Sequence, residues 1–138
     1  MTALKYLFRF DAGSSYGLGH FSRSIALAKK ILKEQPEAQI DILSDATSYM
    51  KEQKKQLPFN VILGEQLNEK ILLKYVKNIK PDVLFFDKAI ERRKNRICDL
   101  TRYTKLRLGH DCRKEATWAD EVIMPAAHID KNNLPFLQ

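Results

Sequence analysis

The sequence predicts an α/β domain: a doubly wound, mostly parallel sheet in a three-layer α/β/α arrangement. Three observations predict it. Six short segments are apolar throughout rather than alternating, and continuous apolar strands belong in a sheet covered on both faces. Segments with helical spacing lie between them, and strand alternating with helix implies right-handed crossovers and a parallel sheet. The length of 138 residues, 44% hydrophobic and 30% charged, suits one globular domain with a real core.

The first strand is expected at residues 4–10, followed by a glycine-rich loop and a helix over 20–33. That helix places Phe21, Ile25, Leu27, Ala28, Ile31 and Leu32 along one side, with lysines opposite, and Pro36 follows its end. A strand at 40–44 ends in Ser44, and Ser44 and Asp45 are expected to cap a helix over 46–56. A strand at 59–63 leads to a helix over 67–79, where Ile71, Leu72, Tyr75, Val76 and Ile79 share a face and Pro81 follows. The remaining elements are a strand at 83–86, a weaker helix over 88–101, and strands at 105–109 and 121–124. No internal repeat or low-complexity segment interrupts residues 1–129, which are read as one Rossmann-like domain. Residues 130–138, with Asn132, Asn133 and Pro135, read as the start of an interdomain linker or a frayed end.

The net charge is +7, and residues 88–114 alone carry ten Lys or Arg. Such a surface attracts nucleic acid, an anionic membrane face or a phosphorylated ligand, and it equally fits a solvated helix face. The nearby aromatics, Tyr103 and Trp118, make a poor base-stacking platform, so nucleic acid is not the expected partner. Peripheral contact with a membrane stays compatible with the charge. Cys98 and Cys112 are too few for a disulfide framework and match no zinc spacing; no metal and no cofactor is indicated. No apolar run approaches the roughly 20 residues of a membrane helix. The N-terminus lacks the pattern of a signal peptide, and a cytoplasmic protein is expected.

The most informative segment is the loop after the first strand, residues 11–20. Open parallel sheets bind ligands outside the carboxyl ends of their strands. Three of the chain's five glycines, Gly13, Gly17 and Gly19, lie here, where they allow sharp turns and close approach of a ligand to the main chain. The next helix offers free N–H groups and a partial positive charge to an anion or a polar sugar group. Gly17-Leu18-Gly19 could open a dinucleotide fingerprint, but its third glycine would fall at Ser22. No Gly-Lys-Ser/Thr exists for a P-loop. His20 stands at the helix start, and imidazole takes or gives a proton near neutral pH. Asp11 ends the strand, where it orients His20, binds a hydroxyl or caps the turn. Arg23, one turn on, holds a phosphate or sits on the surface. His110 and Asp111, after the fifth strand, are candidates for sugar contact or for a loop cap, and His128 for a cleft position.

Phe8-Arg9-Phe10-Asp11-Ala12-Gly13, then Gly17-Leu18-Gly19-His20, Arg23 and Ala26-Leu27-Ala28 resemble the N-terminus of the UDP-sugar hydrolases of the pseudaminic-acid pathway and the related spore-coat polysaccharide proteins. Those enzymes have the GT-B glycosyltransferase fold and are similar to the lipid II-forming N-acetylglucosaminyltransferase. The specific match covers about the first 30 residues. The remainder matches in pattern: Pro81-Asp82-Val83, Phe86-Asp87, His110-Asp111 and Ala119 to Ile123. The resemblance implies the N-terminal half of a GT-B enzyme. In it, water attacks the anomeric carbon of a UDP-activated amino sugar and UDP leaves. It makes His20 the base and carries a site aspartate onto Asp11 and another onto Asp87. It also implies that UDP binds mainly in a second, C-terminal domain outside these 138 residues, supplied in cis or in trans. The sequence departs from the family at Lys88-Ala89, at His110 and at Met124.

Three functions follow as expectations. The first is the sugar-side domain of a UDP-sugar hydrolase. The second is the acceptor domain of a glycosyltransferase of cell-surface polysaccharide synthesis, in which the same base deprotonates an acceptor hydroxyl. The third is a non-catalytic binding module that uses its basic face on an anionic partner. The catalytic candidates are His20 and Asp11; the substrate-binding candidates are Gly13, Gly17, Gly19, Arg23, Asp87, His110 and Asp111.

Overall fold

A computed structural model describes residues 3–14, 16–87, 105–108 and 121–122 of the chain. Its elements run β1 (Lys5–Phe10), α1 (Gly19–Glu34), β2 (Gln39–Asp45), α2 (Ser48–Lys54), β3 (Asn60–Gly64), α3 (Glu69–Ile79), β4 (Val83–Asp87), β5 (Lys105–Leu108) and β6 (Glu121–Val122). The strands form one sheet in the order β3-β2-β1-β4-β5-β6, and every pairing is parallel. The α/β class and the parallel sheet match the sequence expectation. The expected helix over 88–101, residue 109, residues 123–124 and the tail 130–138 lie outside the described residues. No described helix is long and apolar enough to cross a membrane.

Strand β1 shows why the apolar runs are continuous. Successive side chains point to opposite faces of a strand. Tyr6, Phe8 and Phe10 enter a core beneath α1 and α2 with Ile25, Ala28, Ile42, Met50 and Phe85. Leu7 faces the other way, into a core beneath α3 with Leu43, Leu72, Val76, Leu84 and Phe86. Each central strand therefore needs an apolar residue at nearly every position.

The assignment of helices to faces follows from strand order. From β1 to β3 the chain moves outward in one direction. It then returns through α3 to place β4 on the far side of β1. A crossover of constant hand must put α3 on the opposite face from α1 and α2. The order reverses between β1 and β4, where the register pairs Phe10 with Asp87 at the carboxyl edge. A crevice at such a reversal is the common ligand position of open α/β sheets.

Two boundaries differ from expectation for the same reason. Helix α2 starts at Ser48 because Thr47 is its cap, accepting a hydrogen bond from the Met50 N–H at 3.1 Å. Ser44 and Asp45 do not cap it: the Ser44 hydroxyl donates to the Asp45 carbonyl, and the Asp45 carboxylate turns toward the first loop. Helix α3 starts at Glu69 because Asn68 caps it, accepting from the Ile71 N–H at 2.9 Å. Leu67 stays outside the helix, buried in the α3-side core.

Candidate functional site at the carboxyl edge of the sheet

The site is built on Arg9, a charged residue in the middle of an apolar strand. It is 1% exposed and points toward the α3 face. Its guanidinium forms an ion pair with Asp11, which is equally buried and two residues along the same side of the chain. Nη1 also donates to the Phe10 carbonyl at 2.9 Å and reaches the Leu43 carbonyl at 3.5 Å. Nη2 contacts Asp11 Oδ2 at 3.2 Å and the Leu67 carbonyl at 3.5 Å. One cation thus draws together the ends of β1 and β2 and the turn before α3. A buried charge is tolerated only when paired and hydrogen-bonded this fully.

Asp11 carries the brace onward. Its Oδ1 accepts the Asp45 N–H at 3.0 Å, which fixes the end of β2 against the end of β1. These contacts give Asp11 a bracing role, with both carboxylate oxygens engaged by Arg9. Beside it, the Thr47 hydroxyl donates to the Ala12 carbonyl at 2.6 Å, so the cap of α2 also anchors the start of the loop.

The loop then makes a small hairpin. Gly13 and Gly17 form an antiparallel bridge, with the Gly17 N–H donating to the Gly13 carbonyl at 2.7 Å. Gly13 has φ 144° and Gly17 has φ 75°, conformations that favour glycine. A Cβ on Gly13 would also lie 3.3 Å from the Thr47 side chain. At the hairpin tip the Tyr16 hydroxyl donates to Asp45 Oδ2 at 2.7 Å. The neighbouring carboxylate favours the neutral phenol, and its pKa is pushed up to about 12 by that hydrogen bond and by burial. Tyr16 and Leu18 remain 45% and 48% exposed. Only Leu4 joins them as an exposed large apolar residue among those described, so exposed apolar surface concentrates on this loop.

Helix α1 begins behind the hairpin. Leu18 is its N-cap residue, with φ −116° and ψ 0°, and supplies no side-chain cap; the first turn holds no acidic residue. His20 and Arg23 meet over this turn, with Arg23 Nη2 3.2 Å from His20 Nδ1. A guanidinium only donates, so Nδ1 accepts and the ring proton sits on Nε2. Gly19 leaves room for this contact: a Cβ there would stand 3.2 Å from Arg23 Nη1.

The structure therefore gathers Asp11, Gly13, Gly17, Gly19, His20 and Arg23 into one loop and helix start at the carboxyl edge. Asp87 ends β4 beside Phe10 by register. His110, Asp111 and His128 lie outside the described residues. Sequence reasoning missed Arg9, Tyr16 and Asp45 as parts of the site. A charge within a strand buried on both faces, with a carboxylate two residues on, was the available signal for Arg9. Among the described residues no group of three or more His, Cys, Asp or Glu is placed to hold a metal ion. No family model, no curated protein and no solved structure matches the chain.

Proposed function

We propose that the chain is the sugar-side domain of a cytoplasmic UDP-sugar hydrolase of the GT-B type, with His20 as the base that activates water at the anomeric carbon. The observation that carries this reading is the His20–Arg23 contact over an uncapped helix start at the carboxyl edge of the sheet. A diphosphate and a sugar are the groups such a place suits. Uncapped N–H groups and a guanidinium attract the anion. The exposed Tyr16 and Leu18 offer an apolar surface to a sugar ring.

The tautomer gives the mechanism its order. With Arg23 donating to Nδ1, the lone pair that a base needs is held. A diphosphate that draws the guanidinium away frees Nδ1, and the imidazole then accepts a proton from water as it attacks. Arg23 thereby couples substrate binding to release of the base. Asp11 acts as a positioning residue through the Asp45 amide and the Arg9 brace.

The test is UDP release from UDP-activated diacetamido sugars by the full-length gene product, with no acceptor present. Release is expected, and His20→Ala is expected to lower it by about 10² to 10⁴, the usual worth of a general base. Release only after a hydroxyl acceptor is added would make the protein a glycosyltransferase. No release under either condition would leave a binding module.

A further inference from the structure

The geometry points to the Tyr16–Asp45 pair as a closed binding site for a hydroxyl and the adjacent acetamido N–H of an amino sugar, with the phenol occupying the place of one of them. This deepens the function proposed above and takes from it only the class of ligand.

Asp45 ends β2, and its backbone is fixed by the hydrogen bond from its N–H to Asp11. Its carboxylate is therefore held on a rigid strand end. Oδ2 accepts the Tyr16 hydroxyl at 2.7 Å. Oδ1 is buried and has no hydrogen-bond partner among the described residues. An unmet buried carboxylate oxygen is costly, and native structures rarely keep one without a use. A phenol has one O–H and satisfies one oxygen only. A hydroxyl and the neighbouring acetamido N–H of an amino sugar supply two donors side by side and would satisfy both.

The phenol is placed to give way. Tyr16 is nearly half exposed and sits at the tip of a hairpin closed by the Gly13–Gly17 bridge. Gly17 is in a glycine-favoured conformation, with open space around its Cα. A small change there swings the ring off Asp45 without disturbing the Arg9 brace. The displaced ring keeps an apolar face at the edge of the site, against which a sugar can lie. Anchoring of Ala12 by Thr47 keeps the other end of the loop in place.

The test is binding of UDP-N-acetylglucosamine, N-acetylglucosamine and UDP to the full chain, followed by saturation-transfer NMR and titration. Tyr16→Phe removes the competing hydroxyl, and both sugar probes are expected to bind about 2- to 10-fold tighter, the worth of one ordinary hydrogen bond. Asp45→Asn is expected to weaken them about 10- to 100-fold, the worth of hydrogen bonds to a charged group. UDP, which has a ribose diol but no acetamido group, should bind all three proteins alike, and a UDP affinity that shifts in the variants as the sugars do would overturn the amino-sugar assignment. Equal sugar binding by wild type and both variants overturns the site. So does sugar binding that falls in both variants in step with their melting temperatures, which would make Tyr16 a structural clip. Failure of every protein to bind either sugar probe overturns it as well. If the sugars bind with the expected pattern but UDP is never released, the site stands and the hydrolase reading falls.

Discussion

Three described connections turn a strand into a helix, and the molecule builds them in two ways. Between β2 and α2 the chain spends two residues, Ala46 and Thr47, and Thr47 caps the helix. Between β3 and α3 it spends four, and Asn68 caps the helix. Between β1 and α1 it spends eight, folds a hairpin on two glycines, exposes Tyr16 and Leu18, and leaves the helix without a side-chain cap. The two short connections show what the fold needs. The first connection exceeds that need, and the buried Arg9–Asp11 brace holds its base in place.

The largest expected effect breaks that brace. Asp11→Asn leaves the Arg9 charge buried without its counter-ion, and loss of one partner of a buried pair typically costs about 3–5 kcal/mol. Urea unfolding should show that loss, and a change below about 1 kcal/mol would mean that the pair contributes little. A smaller effect sharpens the contrast between helix starts. Asn68→Ala should cost about 1 kcal/mol, the usual worth of a cap, whereas Leu18→Ala should change stability by less than about 0.5 kcal/mol. Equal losses would show that Leu18 supports α1 by a route other than capping. The smallest effect concerns pH. The folded Tyr16 pKa is raised from 10.0 to about 12, so its contribution to stability is fully present below pH 10 and is lost as pH rises toward 12. Ultraviolet titration should find this tyrosine ionising late, and Asp45→Asn should bring it back toward 10. An unchanged late titration in that variant would remove Asp45 as the cause.

How much of this the sequence disclosed depended on whether a signal was local. The strands were legible because both faces of the sheet are covered, which turns residues such as Tyr6, Leu7 and Phe8 into an unbroken apolar run. Helix faces were legible from spacing: Ile25 and Ala28 in α1, and Leu72 and Val76 in α3, are the buried residues that the periodicity marks. The starts of α2 and α3 were placed two residues early. Ser44 and Asp45 are as good at capping as Thr47, and only the turn at the strand end decides among them. The loop that gathers His20 and Arg23 was legible from its glycines. The Tyr16–Asp45 contact was not, because it joins residues 29 positions apart through a strand pairing that no local pattern encodes.

The Arg9 brace also limits how portable the loop is. Its hydrogen bonds reach carbonyls at positions 43 and 67, which belong to β2 and to the turn before α3 rather than to the loop. Grafting residues 11–20 alone onto another parallel α/β scaffold would move the glycines and His20 but leave their foundation behind. A working transplant must carry an arginine within the first strand, an aspartate two residues on, and a host whose second strand and third helix turn present carbonyls to the same point. Inheritance of this loop by recombination should therefore proceed by whole half-sheets and not by short segments.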